Sequence, residues 1–198
     1  MKEVKEHLDH HKLAAQDRTM FGFWTYLMTD LIMFGVLFAT FAVLRGSTYG
    51  GVQLGKLFNM EFVLWETLIL LTSSFTCGLA MIAAHHKEKT QTFAWFGITF
   101  FLGLAFLFLE IDEFKKLIAE GYGWQRSGAM SSFFALVGTH GAHISFGLLW
   151  MAVCLIAVQV QGFTFHNIRK LMLLSLFWHF LDIVWIFIFT IVYLMSVI

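Results

Sequence analysis

The chain has 198 residues, of which 59% are hydrophobic and 13% are charged, and its formal net charge is +0. A water-soluble domain of this size would have too few polar residues to cover its surface, so the composition indicates an integral membrane protein. The balanced charge gives no basis for binding nucleic acid, and the 2 cysteines, both within apolar runs, suit neither a disulfide framework nor a zinc site.

The first 20 residues are polar and precede the first apolar run. They contain neither the apolar core nor the small-residue cleavage site of a signal peptide. We expect residues 1–20 to form a solvated, partly disordered tail. His7, His10 and His11 could trap a metal there, but a solvated tail is the simpler interpretation.

Five apolar runs follow, each close to the roughly 20 residues that a helix needs to cross the hydrocarbon core of a bilayer. Because unpaired backbone cannot face lipid, residues 21–198 are predicted to form one all-α integral membrane domain, a bundle of five transmembrane helices. The chain has no proline, so continuous helices are expected, and broken-helix transporters are disfavoured. The predicted spans cover residues 21–44, 62–84, 93–109, 132–160 and 171–197.

Lysine and arginine are more frequent in the N-terminal segment and the two loops on its side of the membrane than in the opposite loops. Because basic residues stay in the cytoplasm, this asymmetry predicts the N-terminus inside and the C-terminus outside. Small residues four apart also predict close helix packing, within this chain or against another. The pairs are Gly35/Ala39, Ser74/Gly78, Ala80/Ala84 and Gly138/Ala142.

Ionisable side chains inside the predicted spans are the candidate functional residues. Such groups are costly in a bilayer and usually face protein, a polar cavity or a bound partner. His179 and Asp182 are three residues apart and therefore share one helical face, and Glu113 is placed to pair with Lys116 one turn on. The candidates are Asp30, Glu66, Glu110, His140, His143, His179 and Asp182.

Three interpretations of these residues remain open. The histidines could bind a metal or haem, but the sequence lacks the repeated Glu-x-x-His pairs of a di-iron bundle. The polar residues could instead form a proton or ion pathway. They could also form contacts between helices or with lipid head groups, where each interhelical hydrogen bond is worth about 1 kcal/mol. The third interpretation fits best.

The sequence resembles subunit III of the haem–copper terminal oxidases from Met20 onward. The resemblance is carried by WHFLDIVW at 178–185, FFALVGTHGAH at 133–143, Ser73-Ser74 with AHH at 84–86, and EIDEF at 110–114. The short five-span form, which starts FGFWTYLMTD at 21–30, is similar to the third subunits of bacterial cytochrome o (bo-type) ubiquinol oxidases.

This resemblance implies an accessory subunit that is not itself catalytic and has no cofactor of its own. Haem and copper would lie in subunit I, which reduces oxygen to water and pumps protons. This chain would pack against subunit I, with subunits II and IV in the same complex, and would hold phospholipids in a cleft between its helices. The seven candidate residues would then be lipid-binding or interhelical polar groups, and no metal site is expected.

The implied location is the bacterial inner membrane, and the implied reaction of the complex is ubiquinol oxidation by oxygen in aerobic respiration. Two alternatives stay open. The chain could be the equivalent partner of a cytochrome c oxidase or a nitric oxide reductase. It could also be a stand-alone proton or solute carrier that uses the polar residues as a pathway.

Overall fold

The structure is a computed structural model that describes the backbone of residues 2–48 and 59–197, and the side chains of 18–48 and 59–196. The described residues are helical apart from short connections. In chain order the elements are α1 (Lys2–Leu44), α2 (Met60–His85), α3 (Lys89–Ala119), α4 (Gly128–Gln161), α5 (Phe165–Ile188), a π-helical turn (Phe189–Leu194) and α6 (Met195–Val197).

Five of these helical segments are long and apolar enough to cross a membrane, which confirms the predicted all-α fold with five candidate spans. The first four predicted spans each lie within one helix, and the fifth runs through α5, the π-helical turn and α6. Helix α3 continues beyond the predicted end at residue 109 to Ala119. Its last turns are amphipathic, so charged side chains reach the surface while the helix continues.

The N-terminal segment differs from the expectation of a partly disordered tail. Helix α1 begins at Lys2, so residues 2–20 are helical and form the polar N-terminal part of the first helix. This segment has no glycine or proline and is rich in lysine, glutamate, alanine and leucine, which are strong helix formers. The side chains of His7, His10 and His11 lie outside the described residues.

Three helices begin at a residue whose side chain accepts a hydrogen bond from the first turn. Asn59 accepts from the backbone of Glu61 at the start of α2, Ser127 caps α4, and Thr164 caps α5. Such caps satisfy backbone N–H groups that have no partner inside the helix. Helix α4 ends at Gly162, whose φ of 71° favours glycine and lets the chain reverse into α5 within three residues.

Helices α2 and α5 pack together in the middle of the bundle. Helix α2 also packs along α3, and α4 packs along α5, α3 and α1. Helix α1 contacts mainly α4, so it lies at the edge of the bundle. The largest fully buried side chains are aromatic, and Trp178, Trp185 and Tyr193 come from the last helical segment. That segment therefore supplies much of the core.

Among the glycines that the structure describes, the closest contacts with another helix occur outside the predicted pairs. A Cβ on Gly103 would lie 2.8 Å from the Trp178 indole, and one on Gly147 would lie 3.2 Å from the same ring. These glycines of α3 and α4 make room for that indole. A Cβ on Gly35 or Gly78 would meet nothing within 4 Å among the described residues. Those two glycines therefore make no such close contact within the part of the chain that the structure describes.

Candidate functional site

Two tryptophans of α5 hydrogen-bond to hydroxyl groups of α2 inside the bundle. Trp178 Nε1 donates to Ser73 Oγ at 3.1 Å, and Trp185 Nε1 donates to Thr67 Oγ1 at 3.1 Å. Both indoles are buried. Because a buried indole N–H needs an acceptor, the two bonds fix the height and rotation of α5 against α2.

His179 and Asp182 lie beside a third hydroxyl, at the edge of the same interface. His179 Nδ1 is 2.6 Å from Ser74 Oγ. Asp182 is 7% exposed, and its Oδ1 has no hydrogen-bond partner among the described residues. All three line a groove of about 390 Å³ whose walls are apolar side chains of α2, including Leu71 and Phe75. The pair predicted to share a helical face thus points into one surface groove.

Asp30 and His143 meet between α1 and α4. His143 Nε2 lies 3.7 Å from Asp30 Oδ2, which is an ion-pair distance rather than that of a hydrogen bond. The other ring nitrogen, Nδ1, is 2.7 Å from the carbonyl oxygen of Thr139 and donates to it, since a carbonyl only accepts. A proton on Nε2 as well would make this contact a charged pair.

His140 is enclosed by aromatic rings in the centre of the bundle. It is 0% exposed, and its ring stacks on Trp185 with centroids 5.2 Å apart. Phe106 and Phe34 lie edge-to-face with it. Neither ring nitrogen has a hydrogen-bond partner within the part of the chain that the structure describes. Phe34 also contacts His143, so one phenylalanine contacts both histidines.

Three glutamates are buried at the end of the bundle where α2 begins and α3 ends. Glu66 is 0% exposed, Glu110 2% and Glu113 8%. The Glu110 carboxyl group lies against the backbone of α4, where a Cβ on Gly141 would be 2.5 Å from Glu110 Oε1. Only glycine leaves room for a carboxyl group at that position.

The predicted pairing of Glu113 with Lys116 is wrong. Tyr193 Oη donates to Glu113 Oε2 at 2.8 Å inside the bundle, while Lys116 Nζ pairs with Asp112 Oδ2 at 2.6 Å on the surface. Lys116 also lies over the Phe62 ring, 5.1 Å from its centroid. Helical spacing allows Lys116 to pair with Glu113 (i,i+3) or with Asp112 (i,i+4). Because Glu113 is buried, the exposed lysine pairs with Asp112.

The seven candidate residues occupy separate places in the bundle. Asp30 and His143 lie between α1 and α4, His179 and Asp182 beside α2, the two glutamates at one end, and His140 in the aromatic core. Among residues 18–48 and 59–196, no group of three or more histidine, cysteine, aspartate or glutamate side chains is placed to hold a metal ion.

Sequence reasoning did not assign Thr67, Ser73, Tyr193 or Gly141 to these contacts. One available signal was the spacing of seven between the two tryptophans of WHFLDIVW, which puts both indoles on one face of α5. A buried indole on that face requires an acceptor on the helix opposite, and α2 carries hydroxyl residues at matching depth.

Comparisons with known proteins place this arrangement in a family. Residues 2–197 match the family described as cytochrome c oxidase subunit III. A protein of Pseudomonas aeruginosa named cytochrome bo(3) ubiquinol oxidase subunit 3 is 54% identical, over 95% of this chain and 90% of its own length. Quinol oxidase subunit 3 of Bacillus subtilis is 43% identical, over 96% and 98%. Cytochrome c oxidase subunit 3 of Bacillus sp. (strain PS3) is also 43% identical, over 89% and 86%. The chain belongs to the cytochrome c oxidase subunit III family.

Proposed function

We propose that this chain is the accessory third subunit of a haem–copper ubiquinol oxidase in a bacterial inner membrane. The observation that carries the proposal is the 54% identity, along 95% of the chain, to a relative named as the third subunit of a cytochrome bo(3) ubiquinol oxidase. The motifs at 110–114, 133–143 and 178–185 resemble the same family. The five apolar helices suit a multi-pass membrane subunit.

The proposed role is structural and needs no cofactor in this chain. Subunit I would carry haem and copper, reduce oxygen to water and pump protons, with subunits II and IV completing the complex. The chain's own polar groups support this division of roles. Trp178, Trp185 and His179 hydrogen-bond to α2, and His140 is enclosed by aromatic rings. These side chains are engaged in holding helices together.

Phospholipid binding is the second part of the proposal. The groove beside His179 and Asp182 has apolar lining residues that suit acyl chains and polar ones that offer hydrogen bonds. The Asp30–His143 contact lies at the edge of the bundle, where α1 leaves much of its surface uncovered. We assign the candidate residues to lipid binding or to polar contacts between helices, including Glu66 and Glu110.

The proposed orientation has the N-terminus in the cytoplasm and the C-terminus outside, as the distribution of lysine and arginine predicts. The odd number of candidate spans agrees with termini on opposite sides. Cysteine residues introduced at 3 and at the exposed position 195 would be labelled from opposite faces of the membrane by an impermeant thiol reagent.

The electron donor is the part of the proposal that a purified complex tests directly. The intact oxidase is isolated through an affinity tag on this chain, and oxygen uptake is measured with ubiquinol and with reduced cytochrome c. The proposal expects uptake with ubiquinol and none with cytochrome c. The reverse preference would make the chain the third subunit of a cytochrome c oxidase, the alternative favoured by the relative from Bacillus sp. (strain PS3).

A further inference from the structure

Polar contacts between helices do not explain how the buried glutamates at the end of the bundle are neutralised. Glu66 lies six residues into α2, about 9 Å below its first residue at 1.5 Å per residue. Glu110 and Glu113 lie one turn apart near the end of α3. All three are at least nine-tenths buried. The cluster is therefore inside the protein but close to one of its aqueous ends.

Three carboxyl oxygens of this cluster lack hydrogen-bond partners among the described residues. Within the described residues, neither oxygen of Glu66 nor Oε2 of Glu110 has a hydrogen-bond donor. Glu66 is nevertheless close enough to Glu110 and Glu113 for their charges to interact. Burying one ionised carboxylate without a partner is strongly unfavourable, and burying several together is more so because they repel one another. Something must therefore neutralise them.

Among the side chains that the structure describes, those next to the cluster supply too little positive charge. Lys116 acts on Glu66 from α3, but its side chain is 62% exposed and is paired with Asp112. The π-helical turn contributes Tyr193, whose hydroxyl donates to Glu113. Helix α4 contributes His140, which precedes Gly141 and is enclosed by aromatic rings. One exposed lysine cannot balance three buried carboxylates as well as its own aspartate.

Bound protons are the neutralising species that fits this geometry. The described side chains form no group able to ligate a metal ion, whereas a carboxylic acid becomes a hydrogen-bond donor as soon as it is protonated. A proton on Glu66 or Glu110 removes the charge of that carboxylate and makes the side chain a hydrogen-bond donor.

A route to water begins at Glu113. This residue lines a pocket of about 220 Å³ together with Asn59, Phe62, Lys116, Leu117 and Glu120. Glu113 therefore faces the pocket and the interior, where Tyr193 contacts it. Protons arriving from water would reach Glu113 first, and Glu66 and Glu110 lie behind it.

We propose that Glu66, Glu110 and Glu113 form a proton-binding site that exchanges protons with water through the pocket beside Lys116. The site is distinct from the lipid groove on α2 and α5. It binds and releases protons without any redox or covalent step, and it goes beyond the structural function proposed above.

The test is infrared spectroscopy of the intact purified oxidase complex. Glutamate labelled with ¹³C at its side-chain carboxyl is incorporated, and the C=O stretching band of protonated acids is followed in water and after transfer to D₂O. The wild-type complex is expected to show a protonated band that moves with ¹³C and shifts in D₂O. Absence of a ¹³C-sensitive protonated band overturns the proposal. This result does not depend on the folding of a variant, because the measurement uses the wild-type complex.

Substitutions then assign the components of this band to individual glutamates. E66Q and E110Q are each expected to remove a component of it, and E113Q is expected to slow deuterium exchange of the component that remains. The matched control is E61Q, at an exposed position in the first turn of α2. A band unchanged in both E66Q and E110Q overturns the site. The site is also overturned if the wild-type complex retains stoichiometric sodium or potassium and the E66Q complex loses it.

Failure of the proton-binding site can be distinguished from failure of the proposed oxidase function by measuring the donor preference of the complex. Oxygen uptake with ubiquinol tests that function and does not depend on whether the glutamates are protonated. A complex that oxidises ubiquinol but has no protonated glutamate band would contradict the proton site alone.

Discussion

His179 Nδ1 lies 2.6 Å from Ser74 Oγ and joins α5 to α2 near the middle of both helices. Two indole–hydroxyl bonds, Trp178 to Ser73 and Trp185 to Thr67, lie in the same interface. In a membrane the apolar surface of a helix contacts lipid as favourably as it contacts protein. Packing and hydrogen bonds of this kind therefore decide which helices associate. The WHFLDIVW segment is therefore best understood as a helix-joining motif.

The bond between Trp178 and Ser73 should stabilise the bundle by a measurable amount. In a double-mutant cycle, Ser73→Ala and Trp178→Phe should show a coupling free energy of about 0.6–1 kcal/mol, the range for interhelical hydrogen bonds in membranes. The measurement is thermal or denaturant unfolding of the purified complex in detergent. Trp65→Phe is the control, since Trp65 is 65% exposed. Strictly additive effects of the two substitutions would contradict the bond.

Gly141 should tolerate no side chain, whereas Gly138 on the same helix should accept one. Gly141→Ala would place a methyl group 2.5 Å from Glu110 Oε1, but at Gly138 the nearest atom would be 3.7 Å away, on Phe114. We expect Gly141→Ala to be less stable than Gly138→Ala by about 1–3 kcal/mol, the usual cost of overpacking. Unfolding midpoints of the two variants give the comparison, and equal midpoints would show that α3 and α4 are not this close.

Replacing the polar residues of the α2–α5 groove should release lipid before it affects oxygen chemistry. His179→Leu and Asp182→Leu each remove a hydrogen-bonding group from its lining. We expect fewer phospholipids per complex, or weaker retention of this subunit, with turnover per haem unchanged in the complexes that remain intact. Native mass spectrometry measures both. The control is Ile183→Leu, at an exposed position of α5, and unchanged lipid content in both variants would refute the assignment.

The polar residues should not form a transport pathway in the isolated chain. They lie at separate places in the bundle, with the Asp30–His143 contact between α1 and α4 and the glutamates at one end. Liposomes containing only this chain should therefore show no proton flux above that of empty liposomes. Flux that Asp30→Asn or Glu66→Gln abolishes would instead indicate a stand-alone carrier.

Spans and helical faces could be predicted because they depend on residues close in sequence. Five apolar runs gave five helices, and the spacing of His179 and Asp182 placed both in one groove. The N-terminal segment was mispredicted, because its polarity suggested disorder although its residues favour helix.

Partners across helices could not be predicted, because they depend on how distant helices pack. Glu113 pairs with Tyr193, which lies 80 residues away in sequence and in a π-helical turn that the apolar run does not reveal. Likewise, small residues indicated close packing at Gly35, but Gly141 is the position where a carboxyl group occupies the space of a Cβ. Spacing alone does not distinguish these two glycines.

In the proposed function, the buried imidazoles and acids of this chain contact other helices, lipids and a neighbouring subunit, and do not bind a redox centre. The decisive measurement is a density map of the native complex, purified through this chain. We expect this chain to pack against a haem-bearing subunit, with His140, His143 and His179 in the contacts described above. Iron or copper coordinated by any of these histidines, or a particle without a haem-bearing partner, would refute this role.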